Sequence, residues 1–378
     1  MCVVLNLETK IAIILKTHAA FEKIVTFAGS KQTVYMMKKL LFSLSALACL
    51  FFFNACNTKV DLYADYKDIP VIYGLLDVSA DTNYVKIVRA FSGSDEASVD
   101  ATQVALIPDS CNYPGKLDAK IYRYKRVYGN EYALDRTIEL DTITIHDKEP
   151  GAFYYPDQKV YYTTEPILAN NGNNIYYYRL EVLKGNDTVS AETGVVGGEN
   201  FKITNSQVSF VAEPTDRTNK ITFFPADNAS VYNMELRFNY KEIRQGQVTE
   251  KTVVHSYGMK SLDEINNENG AYYVTYSQNL LFNMLSSAIG ADTLHVTRTF
   301  NGNESFVISL AAAGDELYNY IQINQGAGGL SQSIPDYTNI NGGYGVFSSR
   351  LNINKVVKLS ARTQTDLIGM PWGFSQEQ

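Results

Sequence analysis

Apolar and polar residues alternate over short runs through most of the chain after residue 67, and clusters of Gly, Asn, Asp and Pro separate these runs. A period of two is typical of strands that bury one face. The pattern predicts strands at residues 71–76, 84–89, 119–124, 175–182, 188–190, 221–224, 232–240 and 252–255. It therefore indicates an all-β fold.

Two pairs of runs are joined by turn residues and predict β-hairpins. Residues 175–182 lead through a Gly-Asn-Asp turn into 188–190, and an Asn-Gly-Asn link joins 294–300 to 304–310. Gly, Asn and Asp readily adopt the left-handed backbone that tight hairpin turns need. We expect the two strands of each pair to lie side by side.

Helical periodicity occurs in two places, residues 278–289 and 315–323. In the first, apolar side chains recur three or four residues apart and would share one face of a helix. They are Leu280, Leu281, Met284, Leu285 and Ala288. A few short helices are therefore expected within the β fold.

The length of the chain favours two domains. The 323 residues from Cys56 to Gln378 exceed one small domain and suit two domains of about 100–200 residues each. We place these domains at 67–200 and 201–378, with helical insertions in the second. Short strands with regular turn signals are typical of immunoglobulin-like or fibronectin-like β-sandwiches, which is the predicted architecture of both.

Residues 37–55 have the order of a bacterial lipoprotein signal. Lys38 and Lys39 are basic, residues 40–53 are mostly apolar, and Ala55 precedes Cys56. The 14 residues of the apolar stretch fit a signal peptide, in which roughly 7–15 are typical, and fall short of the ~20 that span a bilayer. A thiol at the first mature position can carry a diacylglyceryl thioether, so Cys56 is the predicted lipidation site. An ordinary signal peptide with a chance cysteine is the alternative.

The segments around this signal follow from it. Residues 1–36 are expected to be an upstream extension, ahead of a true start at Met36 or Met37, and to be absent from the mature protein. Residues 56–66 would tether the folded body to the lipid. The prediction is therefore a secreted protein that is attached to a membrane through a lipid anchor.

The mature chain would be acidic. Residues 1–55 hold six Lys and two Glu, which leaves 27 basic and 38 acidic side chains and a formal net charge of −11 after processing. Such a surface repels phosphates, so nucleic acid is not an expected partner. Binding to anionic lipid is disfavoured for the same reason, and the lipid anchor has to supply the membrane attachment.

The motifs predict no cofactor, no metal site and no catalytic residue. If Cys56 is acylated, Cys111 has no partner, so neither a disulfide framework nor a cysteine-based zinc site is expected. The histidines of the mature chain are far apart in sequence; they are His146, His255 and His295. The sequence contains neither the Gly-x-Ser-x-Gly nucleophile elbow nor the zinc motif His-Glu-x-x-His.

Acidic and Gly-rich stretches are the next candidates for ligand-binding loops. Residues 263–270 have the composition of a calcium loop but place Ile265 where the first carboxylate of an EF-hand stands. Asp77 and Asp81 could bind calcium at a sandwich edge, although a solvated turn is the preferred interpretation. The stretches 326–329 and 342–345 lack the strand-to-helix context of a phosphate-binding loop and are predicted turns.

Tyrosine clusters are the remaining candidates for a binding surface. They occur at residues 154–155, 161–162, 176–178 and 272–273, and their rings could stack on sugars. Neighbouring residues of a strand point to opposite faces, so at most one of each pair serves a given surface. Core filling, together with ordinary exposed aromatic residues, is the preferred interpretation.

Five segments spread over most of the mature chain carry a family resemblance. They are residues 70–77 (PVIYGLLD), 84–87 (YVKI), 108–110 (PDS), 112–114 (NYP) and 341–350 (NGGYGVFSSR). Together they resemble a family of uncharacterised Bacteroidetes cell-envelope lipoproteins. The resemblance implies a β-rich, lipid-anchored protein of the outer membrane, on its periplasmic or its external face, and a role beside a TonB-dependent receptor or in surface binding. It transfers no catalytic residue.

These observations predict a non-enzymatic cell-envelope lipoprotein that binds a protein partner or an extracellular ligand through residues the sequence does not identify. The alternative is a glycan-binding accessory protein of a TonB-dependent nutrient-uptake system. A hydrolase with scattered carboxylates is a third hypothesis, since such a pair leaves no local motif.

Overall fold

The structure of the protein is a computed structural model. It describes residues 68–90, 103, 105–107, 110–151, 153–289, 296–325 and 337–377. All of these residues belong to one compact unit, Tyr63–Gln378. The predicted signal, the tether and Cys56 lie outside the described residues.

Strands dominate the described chain, which confirms the predicted all-β class. The strands of the first half are β1 (Pro70–Leu76), β2 (Asn83–Arg89), β3 (Asp118–Tyr128), β4 (Glu131–Glu139), β5 (Asp141–Ile145), β6 (Gln158–Thr163), β7 (Tyr176–Lys184), β8 (Asp187–Gly194), β9 (Lys202–Ile203) and β10 (Gln207–Val208). Those of the second half are β11 (Thr218–Phe224), β12 (Val231–Arg244), β13 (Gln247–Ser261), β14 (Asn266–Glu268), β15 (Ala271–Ser277), β16 (Val296–Phe300), β17 (Phe306–Ala313), β18 (Tyr344–Leu359) and β19 (Phe374–Gln376).

The largest sheet joins both halves of the chain. Its eleven described strands follow the path β19-β16-β12-β17-β18-β1-β2-β6-β5, with β13 paired to β12 and β10 paired to β18. At its centre β1 runs parallel to β18, and Ile72 lies opposite Gly345. Residues from both predicted domains therefore share one sheet, and the division near residue 200 stays a prediction.

Two four-stranded sheets complete the described β structure, with the orders β14-β15-β11-β9 and β4-β3-β7-β8. In the second, β7 and β8 pair antiparallel from Tyr177 opposite Gly194 to Lys184 opposite Asp187. The turn between them contains Gly185 at a φ of 60°. The predicted hairpin at 175–190 is confirmed.

The second predicted hairpin, residues 294–300 with 304–310, is wrong. β16 and β17 run in the same direction and both pair antiparallel with β12, β16 at Lys241–Arg244 and β17 at Val231–Phe238. The residues between them form a turn in which the backbone N–H groups of Glu304 and Ser305 donate to the Asn301 carbonyl. Asn-Gly-Asn therefore interrupts one long antiparallel strand and does not reverse the chain.

The described residues include three α-helices: α1 (Leu280–Ile289), α2 (Asp315–Gln325) and α3 (Ala361–Gly369). The first two confirm the predicted helices. The third was missed by the sequence pattern, although Ser360 caps it by accepting a hydrogen bond from the Thr363 N–H. Within the described ranges, no helix has the length and apolar character needed to cross a membrane.

The buried apolar residues form two clusters. One lies between β1 and β2 on one side and β3, β7 and β8 on the other, and also contains Ile340 and Phe347. The other runs from Val196 to Phe374 and packs α1 and α3 against β11, β12, β15 and β17. In β1, Ile72 and Leu76 point into the first cluster, so the alternate residues of this strand face outward.

Candidate functional site

The outward faces of β1 and β2 form the floor of a cavity of about 480 Å³, and Gln158, the first residue of β6, also lines it. Because Ile72 of β1 and Ile87 of β2 are buried in the core, their neighbours along each strand face the other way. The register places Val71 opposite Val88 and Tyr73 opposite Lys86. Strand pairing therefore fixes four side chains of the cavity floor.

Segments far apart in the sequence complete the wall of this cavity. Its described lining residues are Val71, Tyr73, Lys86, Val88, Arg89, Ala90, Ile107, Cys111, Asn112, Lys148, Phe153, Tyr154, Asp157 and Gln158. Most of its side chains are apolar or aromatic, with a few convergent polar groups, as is typical of small-molecule sites. We refer to it as the outer-sheet pocket.

The charges of the outer-sheet pocket are predominantly positive. Among its described lining residues, Lys86, Arg89 and Lys148 are cationic, and Asp157 is the one carboxylate. Asp157 also has a partner outside the pocket, because its Oδ1 lies 2.7 Å from His146 Nδ1. The pocket is thus a local cationic patch on a chain whose formal net charge is −7.

The two lysines of the pocket are held by neutral groups. Lys86 Nζ donates to the side-chain oxygen of Gln158 at 3.0 Å, and Lys148 Nζ donates to the Tyr154 carbonyl at 2.6 Å. The Lys148 ammonium also lies 5.6 Å from the centroid of the Phe153 ring. Burial and, after it, the positive charge of Lys148 lower the pKa of Lys86.

Tyr73 lies at the edge of the pocket, beside α2. Its ring meets that of Tyr320 edge-on, with centroids 6.1 Å apart, and the two hydroxyls are 3.4 Å apart. Burial, followed by the hydrogen bond from Tyr320, raises the pKa of Tyr73 to about 12. Tyr320 therefore connects α2 to this edge of the pocket.

Cys111 is a free, half-buried cysteine in the same wall. Its sulfur lies 3.6 Å from the Ser110 hydroxyl. The sequence assigned no role to this thiol, and its place in the pocket makes it a lining residue.

The two described histidines lie in different surroundings. His146 Nδ1 is 2.7 Å from Asp157 Oδ1, and His255 packs edge-on against the ring of Tyr257 with centroids 4.9 Å apart. His295 lies outside the described residues. Over the described part of the chain, no three His, Cys, Asp or Glu side chains approach closely enough to hold a metal ion.

Three carboxylates of the calcium-like stretches, those of Asp77, Glu264 and Glu268, are engaged by protein groups. Asp77 Oδ1 accepts hydrogen bonds from the N–H and the hydroxyl of Ser79, at 2.8 and 2.6 Å. Glu264 accepts from the Ser261 backbone, and Glu268 pairs with Lys220 at 2.9 Å. These contacts are those of ordinary turns.

The Gly-rich stretch 342–345 is a turn followed by the start of β18. Gly342 and Gly345 have φ values of 81° and 108°, which only glycine adopts readily. Gly345 lies directly against the β1 backbone, so its role is to allow close strand pairing. The other stretch, residues 326–329, is outside the described part of the structure.

The tyrosine clusters divide between the core and the surface. Tyr161 and Tyr178 are buried, and their hydroxyls accept backbone N–H groups of Leu117 and Leu168. Tyr177, on the opposite face of β7, stacks on Tyr124 with centroids 4.8 Å apart and receives the edge of the Tyr132 ring. These rings pack on each other, which leaves less of their faces free for a sugar.

Comparisons with known proteins assign neither a family nor a function to the chain. No family model and no curated protein matches the chain. Among solved structures, the C-terminal globular domain of an oligosaccharyltransferase from Pyrococcus abyssi is similar at 11% identity and a TM-score of 0.17, over 80% of this chain. The chain spans about half, 53%, of that structure's length. A likeness this weak supports no conclusion about fold or function.

Proposed function

We propose that the protein is a non-enzymatic, lipid-anchored envelope protein that binds a ligand in the outer-sheet pocket. The observation that carries the proposal is the cavity of about 480 Å³, whose floor is fixed by the pairing of β1 and β2. Sites built on paired strands hold their side chains in place better than sites on loops. A mainly apolar floor with a few convergent polar groups is typical of sites that bind small molecules.

Binding is tested with N-phenyl-1-naphthylamine, a neutral dye that fluoresces in apolar sites, on the full chain carrying Cys56→Ser. We expect saturable fluorescence that Val88→Trp abolishes, because the larger side chain fills the pocket floor. The matched control is Val356→Trp, on the exposed face of β18, which should leave binding unchanged. Dye binding that is absent, or equal in the two variants, would overturn the proposal.

The membrane anchor is a proposal that rests on the signal at 37–55 and on Cys56. Cells grown with labelled palmitate should incorporate the label into the protein, and Cys56→Ser should remove it. Cys49→Ser is the control, since Cys49 lies within the apolar stretch and should leave labelling intact. Unlabelled wild-type protein would contradict lipidation.

The outer-membrane address and a TonB-dependent receptor as partner rest on the family resemblance of residues 70–77 and 341–350. Both segments form the central parallel pair of the large sheet. Fractionation of the envelope tests the address. Cross-linking of the native protein followed by mass spectrometry tests the partner, and recovery of the chain in the inner membrane would contradict both.

The finer architecture, two sandwich domains, is supported by the first apolar cluster, where β1 and β2 face a separate four-stranded sheet. Separately produced fragments 67–200 and 201–378 test it. Because β1 pairs with β18, we expect the two fragments to fold and to bind one another. Fragments that stay unfolded both apart and mixed would contradict two domains.

A further inference from the structure

We infer that the outer-sheet pocket takes an amphipathic anion, with an acidic head group at Lys86 and Lys148 and an apolar body against Val71, Val88 and Phe153. The inference rests on the proposed function and specifies the chemistry of its ligand. The class includes carboxylates, sulfonates and phosphate monoesters that carry an acyl or aromatic group.

The lysines of the pocket differ from several others on the described surface, which are paired with carboxylates. Several other lysines have a carboxylate within 3.2 Å: Lys116 pairs with Asp141, Lys120 with Asp118, Lys220 with Glu268 and Lys241 with Glu377. Lys86 and Lys148 instead donate to an amide oxygen and a backbone carbonyl. Each ammonium has three donors, so both can still bind an anion.

Lys86 and Lys148 line the same pocket, and the positive charge of Lys148 contributes, after burial, to the lowered pKa of Lys86. Like charges that share a partly buried site are unfavourable until an anion arrives between them. The one carboxylate among the described lining residues, Asp157, is already paired with His146. An acidic ligand would supply the missing negative charge and relieve the repulsion.

Most of the remaining lining side chains are apolar or aromatic. Ile107 and Phe153 are 53% and 50% exposed, although both are large apolar side chains on the rim of a cavity. Concave sites lined by apolar and aromatic side chains with a few polar groups are typical of small-molecule binding. Val71 and Val88, paired on the floor, continue this apolar surface inward. A ligand with only a charged head would leave it uncovered.

The test compares two dyes that share an aromatic body and differ by one sulfonate: 8-anilino-1-naphthalenesulfonate and N-phenyl-1-naphthylamine. On the full chain with Cys56→Ser, we expect the sulfonate to bind about tenfold tighter or more, as charge-assisted hydrogen bonds imply. Lys86→Gln with Lys148→Gln should remove this advantage and leave the neutral dye unaffected. The control is the double variant Lys251→Gln with Lys358→Gln, which removes the same amount of positive charge from β13 and β18. In this control the sulfonate dye should still bind more tightly than the neutral dye.

The outcomes separate this inference from the proposed function. Equal affinity for the two dyes, or a sulfonate preference that survives the loss of both pocket lysines, would overturn the anionic ligand while the pocket remains a binding site. Failure of both dyes to bind would overturn the proposed function itself. The double variant Lys86→Arg with Lys148→Arg keeps both positive charges and should retain the preference for the sulfonate dye. Loss of that preference in this variant would also count against the inference. Near-ultraviolet circular dichroism checks that each variant is folded.

Discussion

Arg298 and Glu242 form an ion pair inside the large sheet, with side chains only 1% and 13% exposed. They lie directly opposite one another on β16 and β12, and Arg298 Nη2 and Nε donate to Glu242 Oε2 at 2.9 and 3.1 Å. Arg298 Nη1 donates to the Trp372 carbonyl at 2.7 Å. The pair therefore ties β12, β16 and the C-terminal segment together.

Removing the charge of Glu242 should destabilise the protein strongly, because Arg298 would stay buried without its counter-ion. For Glu242→Gln we expect a loss of about 3 kcal/mol in the free energy of unfolding. The control is Glu235→Gln, which breaks the more exposed pair with Arg237 on the same strand and should cost about 1 kcal/mol or less. Urea unfolding measures both, and equal losses would contradict a buried pair.

The same carboxylate should make stability depend on pH. Hydrogen bonds from Arg244 and then Arg298 lower the pKa of Glu242 below the usual value for Glu, about 4.3. A lowered folded-state pKa stabilises the fold above the unfolded pKa, and this stabilisation is lost as the pH falls through the folded pKa. The difference in melting temperature between wild type and Glu242→Gln should therefore be constant near pH 7 and shrink below about pH 4. A difference that grows on acidification would contradict this assignment.

Local pattern predicted much of the secondary structure. Alternation located β1, β2, β7 and β12, because each buries one face, and apolar spacing located α1 and α2. It failed where pairing depends on distant residues. No turn near β1 or β18 in the sequence indicates that these two distant strands pair in parallel. The sequence also does not show that β12 is long enough to pair with both β16 and β17, so these two strands were predicted to pair with each other.

The outer-sheet pocket could not be found from the sequence for a similar reason. Lys86 and Lys148 belong to segments that only the folded sheet brings together, and each by itself reads as an ordinary exposed lysine. The sequence did contain one signal of a binding surface. The outward face of β2 carries Tyr84, Lys86 and Val88, so it mixes apolar and polar side chains where an ordinary solvent-exposed face would be polar. Tyr154, which belongs to one of the tyrosine clusters of the sequence, lines the pocket.

Gly345 should be the least replaceable glycine of the central strand pair. Its φ is 108°, and a Cβ there would collide with the Ile72 carbonyl, which belongs to the opposite strand. For Gly345→Ala we expect a loss of more than about 2 kcal/mol in unfolding free energy. Gly369→Ala is the control: it lies at the end of α3 with open space around it and should be neutral or stabilise by up to about 1 kcal/mol. Similar melting temperatures for the two variants would show that β1 and β18 do not approach this closely.

Lys86 should titrate below an ordinary lysine, for which the pKa is about 10.4. Burial is the larger cause and the charge of Lys148 the next, so Lys148→Gln should raise the pKa of Lys86 while leaving it below the ordinary value. The measurement is the pH dependence of acetylation at Lys86, followed by peptide mass spectrometry, since only the neutral amine reacts. Lys251→Gln removes a positive charge from β13, outside the described pocket wall, and should leave the profile unchanged. A profile that does not move in Lys148→Gln would mean that the two ammonium groups do not share one site, and the case for an anionic ligand would lose its electrostatic basis.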